Sequence, residues 1–111
     1  MSDRLAQLEM SMDQAQDAIK DLEALKRLEK NRDFKRLITE GYFREEASRL
    51  VLMLPDPNMQ EPAMQKSMQE GIIACGQFRQ YLGTKYQIGN AAVRSLAADE
   101  VTRETLLAEE A

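Results

Sequence analysis

Apolar residues recur at alternating three- and four-residue intervals in two long stretches of this sequence, and this spacing constrains the fold more than any other feature. The first stripe consists of Leu5, Leu8, Met12, Ala15, Ile19 and Leu22. The second stripe consists of Met68, Ile72, Cys75, Leu82, Tyr86, Gly89, Val93 and Leu96. Such spacing gives a helix one narrow apolar seam that packs against another helix. The sequence therefore predicts an all-α fold, an elongated helical hairpin or bundle with coiled-coil-like packing, long terminal helices and short helices between them.

The composition agrees with helices that pack through aliphatic side chains. With 111 residues the chain forms at most one domain. Charged residues make up 31% and aromatic residues only 5%, with no Trp, so Leu, Ala, Met and Ile must fill the interior. We expect that so short a chain cannot cover both seams well by itself and that it therefore associates with partner helices.

Turn-forming residues divide the chain into five segments. We predict an N-terminal amphipathic, coiled-coil-like helix over 1–31, a short helical core segment over 32–54, a proline-containing linker over 55–61, a long helix over 62–98, and an acidic tail or short helix over 99–111. Pro55 is expected to stop the preceding helix, and Pro62 suits the first turn of the next one.

The first two segments carry finer predictions. Lys26 takes the seam position that follows Leu22, which shifts the stripe by three residues. We interpret this shift as the point where the helix stops packing on another molecule and starts packing on its own chain. Asn31 is expected to form a turn or cap, and Gly41 to end a short helix in the left-handed conformation. The residues from Phe34 to Val51 are expected to form the local core.

Four glycines lie inside the predicted long helix: Gly71, Gly76, Gly83 and Gly89. Each costs about 1 kcal/mol relative to Ala in a helix, so their presence needs a structural reason. Gly76 and Gly83 suit the close approach of another helix, whereas Gly83 and Gly89 can instead mark a kink, with a break near Gly83. We therefore place the oligomer or partner interface on the first stripe together with Gly76, Gly83 and Gly89.

Charge is segregated along the chain. Residues 1–25 and 97–111 each carry a net charge of −4, and residues 37–96 balance. The segment 26–36 carries +4 and contains the basic cluster, formed by Lys26, Arg27, Lys30, Arg32, Lys35 and Arg36. This cluster is the candidate anion-binding site. It can pair with the acidic ends of its own or neighbouring copies, or it can contact phosphates, although Phe34 is its one interleaved aromatic residue and it lacks a stacking platform.

The sequence has few groups that perform chemistry. It contains no His, which removes the usual general base and the commonest metal ligand. The single cysteine, Cys75, excludes an internal disulfide and a thiolate zinc site, and its place on the seam predicts a buried thiol. No glycine-rich phosphate loop is present. We expect a protein that is not an enzyme, with no catalytic, metal or cofactor site.

Membrane insertion and secretion are not indicated. The longest apolar run, Leu50 to Leu54, is far shorter than the ~20 residues of a membrane-spanning helix. The start of the sequence, MSDRLAQLEM, lacks the basic and apolar regions of a signal peptide. We therefore expect a soluble protein in a reducing cytoplasm, with no membrane partner.

Three strings of this sequence, in order, resemble a group of small helical proteins encoded by tailed bacteriophages: NRDFKRLITEGYFREEASRLVLMLPDPNM, GQFRQYL and ADEVTRETLLAEE. The resemblance covers the chain from about Asn31 to its end and carries no residue roles. It implies a phage context and a role in the virion or in head assembly. The implied location is the virion or, during assembly, the host cytoplasm.

Two functions are compatible with these observations. The first is a non-enzymatic phage structural or head-assembly protein that binds itself or other phage structural proteins, by helix–helix oligomerisation or by docking on a larger virion component. The alternative is a phage regulatory module that grips a host protein or nucleic acid through residues 26–36. Neutralising the basic cluster discriminates between them, because a nucleic-acid binder loses affinity steeply and depends strongly on salt.

Overall fold

A computed structural model describes residues 2–110 of this chain, and these residues are helical almost throughout, without a strand. The elements are helix α1 (Ser2–Lys30), helix α2 (Arg32–Phe34), a π-helical segment (Lys35–Glu46), helix α3 (Ala47–Met53), a 3₁₀ turn (Pro57–Met59) and helix α4 (Pro62–Glu110). The all-α prediction, with a long helix towards each end and short helical pieces between, is confirmed.

The predicted turns between the helices are confirmed. Asn31 caps α2, and its side-chain oxygen accepts a hydrogen bond from the backbone N–H of Phe34 at 2.9 Å. Helix α3 ends at Met53, before Pro55, and α4 begins at Pro62. Proline lacks a backbone donor and has a fixed φ, so it is tolerated at a helix start and terminates a helix elsewhere.

Helix α4 is one uninterrupted helix of 49 residues, about 74 Å long. The long helix predicted from residue 62 therefore continues through Gly83, and the alternative of a kink or break there does not occur. The predicted boundary at residue 98 is wrong, because residues 99–110 continue the same helix. No proline follows Pro62, no glycine follows Gly89, and the alanines near residue 98 favour the helical state.

By its contacts the chain divides into two units, and the first combines the chain up to Leu25 with the chain from Thr84 onward. Its two helices are antiparallel, since Leu22 packs at Gly89 whereas Ser11 donates a hydrogen bond to Asp99 at 3.4 Å. The core of this hairpin consists of Met12, Ala15, Leu22, Leu25, Gly89, Ala92 and Leu106.

This packing changes the interpretation of the first stripe. Met12, Ala15 and Leu22 are buried, and Leu5, Leu8 and Ile19 are half-buried, in a single chain. The stripe is covered by the chain's own α4, so the prediction that it packs on another molecule up to Lys26 and on its own chain only afterwards is wrong. The periodicity identified the apolar face, but a seam of this length is also satisfied by the complementary seam of the same chain.

The second unit, Lys26–Gly83, contains the central helical segment, which we define as residues 32–53, and the first part of α4. Leu50 packs at Gly71, and Phe43 lies against Phe78 with ring centroids 5.3 Å apart, so these two helices are also antiparallel. Gln65 joins their ends, because its side-chain amide donates to the carbonyl of Leu54 at 2.9 Å.

Two predictions for the central helical segment are wrong. None of its side chains is fully buried; the buried side chains of this unit are Met68 and Cys75 of α4, so the residues from Phe34 to Val51 line the core without forming it. Gly41 does not end a helix, and no glycine among the described residues has a positive φ. Gly41 lies within the π-helical segment, whose hydrogen bonds join residues five apart rather than four.

Candidate functional site

One exposed face of α4 in the second unit carries no charge. It consists of Ile73, Gly76, Gln77, Gln80 and Gly83, spaced as one side of a helix, and we call it the uncharged face. Between Glu70 and Lys85 the only charged residue is Arg79, in a chain of which 31% is charged. Protein surfaces that associate are depleted in charged residues at their centre. The uncharged face is therefore the first candidate interaction surface.

The glycines of α4 fall into two classes. A Cβ atom on Gly71 would lie 2.9 Å from a side-chain carbon of Leu50, and one on Gly89 would lie 2.5 Å from Cβ of Leu22. These two glycines permit the close packing of α4 within its own chain. A Cβ atom on Gly76 or Gly83 would meet nothing within 4 Å. Both of the latter glycines belong to the uncharged face, and their helix-propensity cost is not compensated inside this chain.

Large apolar side chains are exposed beside these glycines and on the central helical segment. Ile73 of the uncharged face is 56% exposed. On the central helical segment, an open groove of about 380 Å³ is lined by Phe43, Arg44, Ala47, Ser48, Val51 and Leu52, and Leu52 is 75% exposed. Single exposed apolar residues such as Ile73 are common, whereas a groove lined by several apolar residues indicates an interaction surface.

The basic cluster is the second candidate surface. All six of its side chains are exposed, and none of them forms an ion pair within residues 2–110. Around Asn31 the chain forms an open polar depression of about 440 Å³, lined also by Arg32, Asp33 and Arg36. Unpaired cations at this density create a positive local potential that attracts anionic groups. The structure thus brings part of the basic cluster together around the turn at Asn31.

The residues predicted for the oligomer interface separate into two groups. The first stripe and Gly89 are packed within the first unit, whereas Gly76 and Gly83 are open to solvent. The uncharged face that surrounds the two open glycines was not predicted from the sequence. The signal was present in the sequence, because a helix of this length with one charged residue between Glu70 and Lys85 contrasts with the rest of the chain.

An aromatic cluster lies on the inner side of the same unit. The ring of Tyr42 is 6.2 Å from that of Phe78 and 6.0 Å from that of Phe43. A hydrogen bond between the Tyr42 hydroxyl and Cys75, together with desolvation, raises the pKa of Tyr42 above its ordinary value. Cys75 is buried and free, as the sequence predicted. These groups form a packed contact between the central helical segment and α4.

Residues 2–110 contain neither a group of metal ligands nor a membrane-spanning helix. No three Asp, Glu or Cys side chains within residues 2–110 are grouped as metal ligands. None of the helices in this range combines the length and the hydrophobicity that crossing a membrane requires.

Comparisons with known proteins add no family. The sequence matches no protein-family model, and no curated protein and no solved structure is significantly similar to it. The function must therefore be argued from the two candidate surfaces and from the resemblance of the sequence.

Proposed function

We propose that this chain is a non-enzymatic structural or head-assembly protein of a tailed bacteriophage, and that it works by helix–helix association. Its partners are copies of itself or a larger virion component, in the virion or in the host cytoplasm during assembly. The phage context rests on the three sequence strings that resemble small phage proteins. The mode of action rests on the uncharged face of α4.

The uncharged face carries the proposal. Two glycines in an exposed helix each cost about 1 kcal/mol relative to Ala. Gly76 and Gly83 are one heptad apart on the same side of α4, and a Cβ atom added to either would meet nothing within 4 Å. Together with the neighbouring Ile73 and Gln80, they form a smooth strip on which a second helix can approach closely. Contact with a partner helix would compensate for the helix-propensity cost of these glycines, which no contact within residues 2–110 of the isolated chain does.

The total surface of the chain supports association. The chain exposes 8269 Å², whereas a compact monomer of 12.7 kDa exposes about 6,200 Å². The excess of about 2,000 Å² on one chain is larger than the ~800 Å² that each partner contributes to a standard protein–protein interface. A partner that covers the uncharged face would bring the exposed area towards the value of a compact protein.

Two measurements test this proposal. Sedimentation velocity of the purified chain at increasing concentration should show reversible self-association, and Gly76→Leu with Gly83→Leu should weaken it, because leucine separates the helices. The matched control is Gly76→Ala with Gly83→Ala, which raises helix propensity with a far smaller side chain. Quantitative mass spectrometry of purified virions should find the chain in multiple copies if it docks there. A chain that stays monomeric at high concentration and is absent from both virions and assembly intermediates contradicts the proposal.

The alternative proposal is a phage regulatory module that grips a host protein or nucleic acid through residues 26–36. The observation that favours it is the exposure of all six side chains of the basic cluster and their lack of ion pairs within residues 2–110. Binding of a DNA or RNA duplex should then weaken steeply with salt, and neutralising two basic residues should reduce the slope. Against it, the net charge of −4 opposes general binding to nucleic acid.

A further inference from the structure

We propose that the basic cluster binds the acidic end of α4, residues 97–110, of a second copy of this chain. This inference rests on the proposed function, because it assumes self-association and adds a second, electrostatic contact to the uncharged face. The acidic end of α4 holds five acidic residues and one basic residue. Its net charge of −4 is equal and opposite to that of the segment 26–36.

Part of each proposed partner carries charges that its own helix disfavours, although Arg27 and Lys30 of the basic cluster lie in the last turn of α1, where positive charge is favourable. A helix has a partial positive charge at its N-terminus and a partial negative charge at its C-terminus. Glu109 and Glu110 lie in the last turn of α4, which contains no basic residue. Arg32, Lys35 and Arg36 lie near the start of the central helical segment. Contact between the two places replaces two unfavourable charge–dipole arrangements by charge pairs.

Exposed apolar residues accompany the charges on both partners. Leu28 is 41% and Leu37 is 59% exposed beside the basic cluster, and Val101 is 64% and Leu107 is 48% exposed on the acidic end of α4. Interfaces commonly combine an apolar centre with a polar rim of complementary charge. The two surfaces therefore match in hydrophobicity as well as in sign.

Within the first unit, the antiparallel packing places the acidic end of α4 at the opposite end from Leu25. Ser11 of α1 lies opposite Asp99, so the residues after Asp99 lie beside the part of α1 that precedes Ser11. Leu25, where the first unit ends on α1, is about 21 Å further along the helix in the other direction. The acidic end of α4 is therefore held away from the end of the unit that leads into the basic cluster.

The acidic N-terminal segment is a weaker candidate for this role. Asp3 lies in the first turn of α1, where a negative charge is favourable, and Asp21 pairs with Lys85 at 3.1 Å. In contrast, no acidic residue of the end of α4 forms an ion pair within residues 2–110. Asp99 accepts a hydrogen bond from Ser11, but among the described residues the acidic end of α4 has no ion pair of the kind that Asp21 forms on α1.

The proposed contact joins two different surfaces of the chain. In a two-fold dimer it forms twice, because each basic cluster meets the acidic end of the other copy. In a head-to-tail arrangement it continues from one copy to the next and generates a ring or a filament. The contact therefore predicts self-association in either arrangement.

Charge-reversal variants test the contact by sedimentation velocity. Variant A carries Arg32→Glu and Lys35→Glu, and variant B carries Glu104→Lys and Glu109→Lys. Each should self-associate at least about tenfold more weakly than the parent, because attraction is replaced by repulsion. An equimolar mixture of A and B should recover the assembly, since each reversed surface then meets its complement. Both pairs of substitutions agree better with the local helix dipoles, so unfolding does not explain a loss.

The matched control is Asp13→Lys with Asp17→Lys, which changes the net charge as variant B does but on α1. It should have a smaller effect than B, and the mixture of this control with A should not recover the assembly. Unchanged association of A and B, or no recovery on mixing them, overturns the inference. Loss of binding to a DNA duplex by A, with its self-association intact, overturns it in favour of nucleic acid. A parent chain that does not self-associate overturns this inference and leaves docking on a virion component as the remaining mode of the proposed function. A parent that associates independently of these charges contradicts only this contact.

Discussion

The two units of this chain are both antiparallel pairs of helices, yet their interiors differ. The first unit buries side chains from both of its helices, among them Met12 and Leu22 of α1 and Leu106 of α4. In the second unit the only buried residues are Met68 and Cys75, both on α4, while the central helical segment contributes half-buried side chains. Regular α-helical periodicity on both helices lets seams interlock, whereas the π-helical segment Lys35–Glu46 departs from that period. Two antiparallel helix pairs of the same chain can therefore differ in how completely they bury their side chains.

Truncating one leucine in each unit tests this difference most directly, and it has the largest expected effect. Leu22→Ala should lower the free energy of unfolding by about 2–5 kcal/mol, because the side chain is 2% exposed and leaves a cavity. Leu50→Ala should cost less, about 1 kcal/mol, because Leu50 is only half-buried. Urea denaturation followed by circular dichroism measures both values. Equal losses would show that the two interiors are packed alike.

The same substitution at two glycines of α4 should change stability in opposite directions. Gly89→Ala brings a Cβ atom 2.5 Å from Cβ of Leu22 and should destabilise the chain by about 1–3 kcal/mol. Gly76→Ala meets nothing within 4 Å and should stabilise it by about 1 kcal/mol through helix propensity. Thermal unfolding of the two variants at low concentration separates these effects from association. A gain at both positions would mean that Gly89 is not at a tight helix contact.

Gly41→Ala tests the π-helical segment of the second unit. The Cβ atom of the new alanine would lie 2.9 Å from the backbone carbonyl oxygen of Arg36. A backbone atom cannot move aside as the end of a flexible side chain can. We therefore expect a loss of about 1 kcal/mol or more in the free energy of unfolding. In an ordinary α-helix the same change would stabilise by about 1 kcal/mol. Chemical denaturation measures the change in the free energy of unfolding. A loss agrees with a π-helical backbone at Gly41, whereas a gain would indicate an ordinary α-helix.

The smallest expected effect concerns the hydrogen bond between Tyr42 and Cys75. This bond raises the pKa of Tyr42 in the folded chain, so it favours the neutral phenol. Its stabilisation is fully present below the unfolded pKa of about 10 and is lost as the pH rises through the higher folded value. Cys75→Ala should lower the pKa of Tyr42 towards its ordinary value. Tyrosinate absorbance during an alkaline titration, with Tyr42→Phe to identify the signal, measures the shift; an unchanged titration would mean that the thiol is not its cause.

Much of the fold was predictable because helix signals are local. The spacing of Leu5 through Leu22 indicated one helix face, and Asn31, Pro55 and Pro62 marked the ends of helices, as the structure confirms. Gly41 was wrongly predicted to end a helix, because the sequence does not distinguish a glycine that ends a helix from one that permits close backbone packing inside a helix. The continuation of α4 beyond residue 98 was not predicted, because the acidic residues of this region are unfavourable near a helix C-terminus and suggested that the long helix ends before them. The alanines in the same region favour the helix, and the helix continues to Glu110.

The candidate site was predictable only in part. The basic cluster is a run of charges and could be read directly, and the structure leaves all six side chains exposed. Of the three glycines placed at the interface, the sequence could not separate Gly89, which packs on Leu22, from Gly76 and Gly83, where an added Cβ atom would meet nothing within 4 Å. That distinction depends on which side of α4 faces the neighbouring helices, and residues far apart in the chain decide it.

By itself the sequence determined that this chain is helical, where most of its helices begin and end, and which side of each is apolar, since hydrogen bonding within a turn and side-chain period act between near neighbours. Only the tertiary structure decided what covers those sides. It packs the first stripe on the chain's own α4 and leaves the uncharged face around Gly76 and Gly83 exposed. The physical reason is that the hydrophobic effect has no direction: it requires that an apolar seam be covered, and the packing of distant residues selects the surface that covers it.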